Sequence, residues 1–405
     1  MRKNNFLTKF KKVKVKDFIS FFLFFIAIIP SIILKIQRKN LWLICESENE
    51  ARDNGYWLFK YIKENHPEQD VAYAINKKSV DYKKVHNLGK TIQYGSLMHW
   101  IYYLAAKKNI STQKGGKPNA AVCYFLEVYE ILKNDRVFLQ HGITINDQPW
   151  LYYSETKINL FICGSKPEYD FIKSKFEYPS SCVKYLGFCR FDELHDYKRN
   201  IKRILIMPTW REWLTLESKK EKVIGSQYFQ KWNALINDKK LEILVNQYDV
   251  EFIFYPHREM QKYLNYFKRK EENKKIIIAD WKKWDIQELL KSSSLMITDY
   301  SSVFFDFVYM KKPVLFYQFD VNEFREKQYQ EGYFNYENNP FGESISDIKH
   351  LIKKIEESIC NKFKIDNKFS EEHKKTFPLY DKNNCERNYY SIKNNKIVFK
   401  KNKRT

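Results

Sequence analysis

No two cysteines in this sequence are spaced CxxC, and the seven present, at 45, 123, 163, 182, 189, 360 and 385, are scattered. Such spacing indicates neither a zinc site nor a redox motif. The odd number, and the apolar settings of Cys45 and Cys163, suggest reduced, buried thiols in a cytosolic body. Glycine and proline are sparse, 11 of each in 405 residues, which argues against a low-complexity or disordered chain. There is no GxGxxG and no GxxxxGK[ST], which weighs against a dinucleotide oxidoreductase and a P-loop NTPase. No DxD-type acidic pair stands in a metal-binding setting, so neither a catalytic metal nor a cofactor is expected. No small-residue cleavage site follows the apolar segment near the start, which argues against a removed signal peptide. An RNA-binding signature with interleaved aromatics is also missing, so nucleic acid is not an expected partner.

What is there fits a two-domain enzyme. The length is comfortable for two domains, and 44% hydrophobic with 17% aromatic residues supplies a sizeable core. The net charge of +22 suits anionic partners such as acidic headgroups or phosphorylated substrates, although solvated lysine faces account for part of it. Residues 1–16 carry seven Lys or Arg, Phe18 to Leu34 is almost wholly apolar, and Lys35, Arg38 and Lys39 close the run. The run is borderline for a spanning helix, which needs roughly 20 residues, and Pro30 interrupts it. Residues 1–39 therefore read as a membrane-associating segment, peripheral or monotopic on the cytoplasmic side of the cell membrane.

From Asn40 onward, strand candidates alternate with helical segments. Leu41–Cys45, Val71–Ile75, Thr91–Tyr94, Ile110–Thr112, Arg136–Gln140, Leu160–Cys163 and Val183–Leu186 form one series. Ile204–Met207, Phe252–Tyr255, Ile276–Ala279, Leu295–Ile297 and Val314–Tyr317 form a second. Strands spaced by helices imply doubly wound parallel sheets. The expected division is a domain over 40–190, another over 191–365, and a closing helix with a basic tail over 366–405.

Polar residues collect at strand ends. Gln140–His141–Gly142 ends a strand of the first series. Pro208–Thr209–Trp210–Arg211, Tyr255–Pro256–His257–Arg258 and Thr298–Asp299–Tyr300–Ser301–Ser302 end three of the second. If both sheets aim their carboxyl edges at one cleft, the four clusters meet there. A helix starting near Ser301–Ser302 would turn free N–H groups and hydroxyls toward a phosphate, or those residues merely cap it. His141, beside a glycine that permits close approach, could take a proton from an attacking hydroxyl. Arg258 and Arg211 suit a phosphate fork, or each forms an ion pair.

Together these clusters resemble the CDP-glycerol glycerophosphotransferase family, the teichoic-acid primases and polymerases of Gram-positive bacteria and related capsule enzymes. The matching stretches are Gln140–His141–Gly142, PTWR at 208–211, PHR at 256–258, TDYSSVFFDF at 298–307, KKPVLFYQFD at 311–320, and Glu331–Gly332. The resemblance covers residues 40–350 or so, and it implies an α/β, GT-B-like fold: two Rossmann-like doubly wound domains facing across a cleft. It implies His141 as general base, with Gly142 beside it, and His257 and Arg258 as pyrophosphate or transition-state contacts. Thr298, Ser301 and Ser302 become a phosphate-cradling turn shaped by Asp299. Arg211 is a further candidate for the same site, and Asp306 either joins it or braces its helix. The implied reaction moves a polyol phosphate, glycerol phosphate first and ribitol phosphate second, from a CDP-polyol to a hydroxyl of a lipid-linked anionic acceptor, releasing CMP. A GT-B glycosyltransferase using a nucleotide sugar is the alternative.

Overall fold

Strands β1 (Trp42–Cys45), β2 (Val71–Ile75), β3 (Thr91–Gln93), β4 (Lys108–Ser111), β5 (Asp135–Phe138), β6 (Leu160–Cys163) and β7 (Val183–Tyr185) make a seven-stranded sheet. Its order is β3-β2-β1-β4-β5-β6-β7. Strands β8 (Arg203–Met207), β9 (Glu251–Phe254), β10 (Ile276–Ile278), β11 (Leu295–Thr298), β12 (Val314–Tyr317) and β13 (Gly342–Ile345) make a second sheet, ordered β10-β9-β8-β11-β12-β13. Every ladder in both is parallel. The computed structural model describes residues 15–132, 134–195, 202–215, 220–269 and 273–395; the basic arm before residue 15 and the tail from 396 lie outside the described residues.

Parallel sheets are covered on both faces, so their strands are apolar throughout rather than alternating. β1, β2, β6, β11 and β12 are buried at every residue. The expected strands of both series are all present. β13 was not anticipated, because GESI is a partly exposed strand without an apolar run. Strand order reverses between β1 and β4 and again between β8 and β11. At such switch points the crevice outside the carboxyl ends opens to ligands.

Six helices matter below: α1 (Val15–Gln37), α2 (Asn54–Asn65), α3 (Leu97–Ala105), α4 (Lys166–Lys175), α5 (Phe304–Tyr309) and α6 (Asn384–Asn394). By length and composition, α1 is long and apolar enough over Asp17–Gln37 to cross a membrane. Its length lies against the first unit. Phe24 and Ala27 are buried, and Trp100 of α3 meets Phe24 edge-on, centroids 5.6 Å apart. Trp100 Nε1 donates to Ser20 Oγ at 3.1 Å, and Asn119 Nδ2 donates to Asp17 at 2.8 Å. Beyond its end, Arg38 binds Asp70 and Tyr102. The opposite face leaves Phe18, Phe22, Phe25, Ile29, Ile33 and Ile36 exposed.

The chain passes between the units twice. Phe191 and Leu194, after β7, join the second unit's core, as do Phe369 and Phe377. Then Cys385, Tyr389 and Ile392 of α6 return to pack with Trp42, Leu58 and Phe59 of the first. Asp192 on the first passage accepts the N–H groups of Asn384 (2.8 Å) and Cys385 (2.7 Å) on the second.

Candidate active site

After β5 the chain turns out of the sheet. Gln140 adopts φ +58°, a left-handed conformation that costs a non-glycine residue about 1–2 kcal/mol. Its side chain is tied on three sides: Nε2 donates to the Ile162 carbonyl (2.8 Å) and Glu168 (3.0 Å), and Oε1 accepts from Thr144 Oγ1 (2.7 Å). Asn54, the first residue of α2, donates to the Gln140 carbonyl at 2.8 Å. This turn presents His141 as an exposed side chain. Its Nδ1 lies 3.3 Å from the Thr112 carbonyl. A carbonyl can only accept, so Nδ1 carries the proton, and in the neutral form of the ring the lone pair is on Nε2.

The first unit's own switch point is already filled. The buried Glu46 carboxyl group, just past β1, accepts the N–H groups of Arg52 (2.9 Å), Asp53 (3.1 Å) and Tyr56 (2.6 Å) around the start of α2. Burial, reinforced by Asp53, pushes its pKa up to about 8. A helix start that could hold a phosphate holds this side chain instead.

In the second unit His257 sits before a 3-10 segment, Arg258–Tyr266. Its Nδ1 accepts the Glu259 N–H at 3.2 Å, so the ring proton is on Nε2. Burial, with a contribution from the nearby His141, pushes its pKa down to about 4. Trp210 stacks on it, centroids 5.9 Å apart. His141 therefore offers a lone pair, and His257 offers an N–H.

The remaining expected residues divide. Arg211 is fully buried: it donates to Asp299 (2.8 Å), to both oxygens of Asp320 (2.8 and 3.0 Å) and to the Thr209 carbonyl. Expected as a phosphate fork, it is a brace between strand ends. Asp299 also accepts the Thr209 N–H, and Thr298 Oγ1 donates to the Met207 carbonyl at 2.7 Å, so both stitch β11 to β8. Asp306 takes a two-pronged contact from Arg190, both at 2.7 Å, and is buried. The helix expected from Ser301–Ser302 begins at Phe304 and is only six residues long. The N–H groups of Phe304, Phe305 and Asp306 bond back to Ser301, Ser302 and Val303. Those donors are used locally, which corrects the expected fan of free N–H groups.

His141, Gly142, His257, Arg258, Ser301 and Ser302 remain at the junction of the units. A Cβ on Gly142 would lie 2.6 Å from Ser302 Oγ, so a side chain there would force the Ser302 hydroxyl to turn away. Arg190 spans both units, binding Asp53 (2.9 Å) as well as Asp306. Arg258 pairs with Glu50 of the first unit and lies over Trp281, 4.6 Å from its centroid.

The sequence profile described as CDP-glycerol:poly(glycerophosphate) glycerophosphotransferase matches residues 26–394. The chain belongs to this family. The minor teichoic acid biosynthesis protein GgaB of Bacillus subtilis (strain 168) is 32% identical over 382 residues, covering 89% of this chain and 41% of that protein. The chain thus spans about two fifths of that relative's length. The teichoic acid poly(glycerol phosphate) polymerase of Bacillus spizizenii (strain ATCC 23059 / NRRL B-14472 / W23) is 25% identical, covering 87% of this chain and 90% of the relative. The wall teichoic acid polymerase TagF shares the fold, with a TM-score of 0.63 at 16% identity over 94% of this chain and 97% of that one. A further TagF structure followed a soak in CDPG. This member of the glycerophosphotransferase family has site-building residues that sequence reasoning missed: Arg190, Glu50, Trp281 and Glu168. Only Glu168 carried a local signal, the Ser165-x-x-Glu168 helix-start pattern.

Proposed function

We propose that this chain transfers glycerol phosphate from CDP-glycerol to a hydroxyl of a membrane-bound, lipid-linked acceptor in teichoic acid or capsule synthesis. The observation that carries the reading is the opposite Nδ1 partners of the two histidines, a carbonyl for His141 and an N–H for His257, which assign a lone pair to Nε2 of a neutral His141 and a proton to Nε2 of His257. The acceptor hydroxyl oxygen attacks the phosphorus that bears glycerol. Its proton passes to His141 Nε2, the bond from that phosphorus to the CMP phosphate oxygen breaks, and CMP leaves with the electron pair. His257 Nε2–H and Arg258 donate to the departing phosphate, and the Ser301–Ser302 turn seats the donor. Because Glu46 blocks the first unit's switch point, the second unit is the nucleotide side. Donor phosphate would displace Glu50 from Arg258.

The membrane partner is read from α1. A helix held along its length by Asp17, Ser20, Phe24 and the neighbouring Arg38 cannot stand across a bilayer without the folded unit following it. It lies in the cytoplasmic interface, apolar face down. The reaction is tested by measuring CDP-glycerol binding and transfer for His141→Ala. Binding within about twofold of wild type and transfer reduced about 10²–10⁴-fold are expected, the usual contribution of a general base. Transfer surviving within about tenfold would remove His141 from that role.

A further inference from the structure

Glu168 is fully buried in α4 and does two separate things with its two oxygens. Oε2 accepts the Gly164 N–H at 2.7 Å, one residue ahead of the Ser165 cap. Oε1 has no part in that cap. It accepts the Thr144 N–H at 2.6 Å and Gln140 Nε2 at 3.0 Å. Thr144 Oγ1 closes the circuit by donating to Gln140 Oε1 at 2.7 Å. The ring Gln140–Glu168–Thr144 brackets the three residues between its ends: His141, Gly142 and Ile143. One carboxyl oxygen therefore fastens both ends of the short segment that carries the imidazole and the glycine touching Ser302.

The ring also explains the left-handed Gln140. That conformation is unfavourable for a side chain bearing a Cβ and persists only when its surroundings over-determine it. Both amide protons and the amide oxygen of Gln140 are engaged, so releasing Glu168 frees the turn to relax and swing His141 away from the Thr112 carbonyl. Cys163, Tyr185 and Tyr333 face the carboxyl, and burial pushes all three up, so they stay neutral around it.

We propose that Glu168 is a positioning residue for the transfer reaction: through Gln140 and Thr144 it locks the turn that aims His141 into the cleft. This rests on the reading of His141 as the base. A misplacement of about 1 Å at a reacting group costs on the order of 10²-fold in rate.

The test uses the full-length chain and three readouts on Glu168→Gln and Thr144→Val: melting temperature, kcat and KM for CDP-glycerol, and the imidazole ¹⁵N signals of His141, assigned by their loss in His141→Ala. Thr144→Val keeps the backbone donor and the shape and deletes only the hydroxyl link, so it decides the matter if Glu168→Gln fails to fold. The expected result is kcat lowered about tenfold or more, KM within about twofold, and displaced His141 signals in a folded protein. In the His141→Ala background the same substitutions should cost nothing further. Unmoved His141 signals, or an undiminished cost in that background, would overturn the positioning role while leaving the base assignment untouched. Displaced signals with unchanged kcat would sink the base reading and with it the positioning role, leaving Glu168 a purely structural lock.

Discussion

Arg211 is a guanidinium with no exposed surface, held between Asp299 and Asp320 and flanked by Tyr228, Tyr300 and Phe324. Removing one partner of such a buried pair leaves uncompensated charge and typically costs about 3–5 kcal/mol. Arg211→Ala should therefore lower the unfolding free energy by that amount in urea titrations. Unchanged stability together with weakened CDP-glycerol binding would return Arg211 to the phosphate site. Polar clusters at strand ends were legible in the sequence because apolar runs stop there. Which members face the cleft was not legible. Asp320 stands 109 positions from Arg211, and Asp306 stands 116 from Arg190. An arginine beside a strand end reads the same whether a phosphate or a distant carboxylate receives it. His141 and His257 were distinguishable because the first precedes a glycine and the second lies between a proline and an arginine, both turn settings.

At the scale of elements, the strands were readable because a parallel strand buried on both faces is a bare apolar run between turn residues. β13 escaped because its polar residues hide that mark, and α5 began later than expected because Asp299 and Ser301 bond locally, to the N–H groups of Tyr300 and Val303. α1 was legible as an apolar segment, whereas its docking on α3 was not, since Trp100 and Ser20 announce no partner in sequence. That docking changes how its role is tested. Deleting α1 would uncover Trp100 and damage the fold. Placing glutamate at Phe22, Ile29 and Ile33, all on the exposed face, leaves the docked face intact. The triple variant should melt within a few degrees of wild type and no longer sediment with anionic phospholipid vesicles. Undiminished sedimentation would move the attachment elsewhere.

At the scale of the molecule, three imidazoles and two carboxyls contribute to the response to pH. Burial holds His99 at about 3 and both His257 and His373 at about 4. Unfolded histidines take up protons near pH 6.5, so this stability is complete above about 6.5 and lost as pH falls through 4. Burial pushes Glu46 up to about 8 and Glu168 up to about 7. Their stability is complete below about 4.3, where the unfolded groups are protonated too, and is lost as pH rises through 7 and 8. Of these five groups, only the carboxyls still act above about 6.5. Melting temperature should decline from pH 6.5 to 8, less so in Glu46→Gln; a rise across that window would contradict the protonated buried carboxyls. The two passages of chain between the units, joined at Asp192, have a mechanical consequence. Two passages tied to each other hold the units together on one side, so any opening would turn about that side. Contacts across the junction, among them Arg258 with Glu50, Gly142 with Ser302, Arg325 with Asn146 and the bridge from Asp147 to Gln330, would have to part for the molecule to open. Whatever binds between the units would then enter and leave by the same open side.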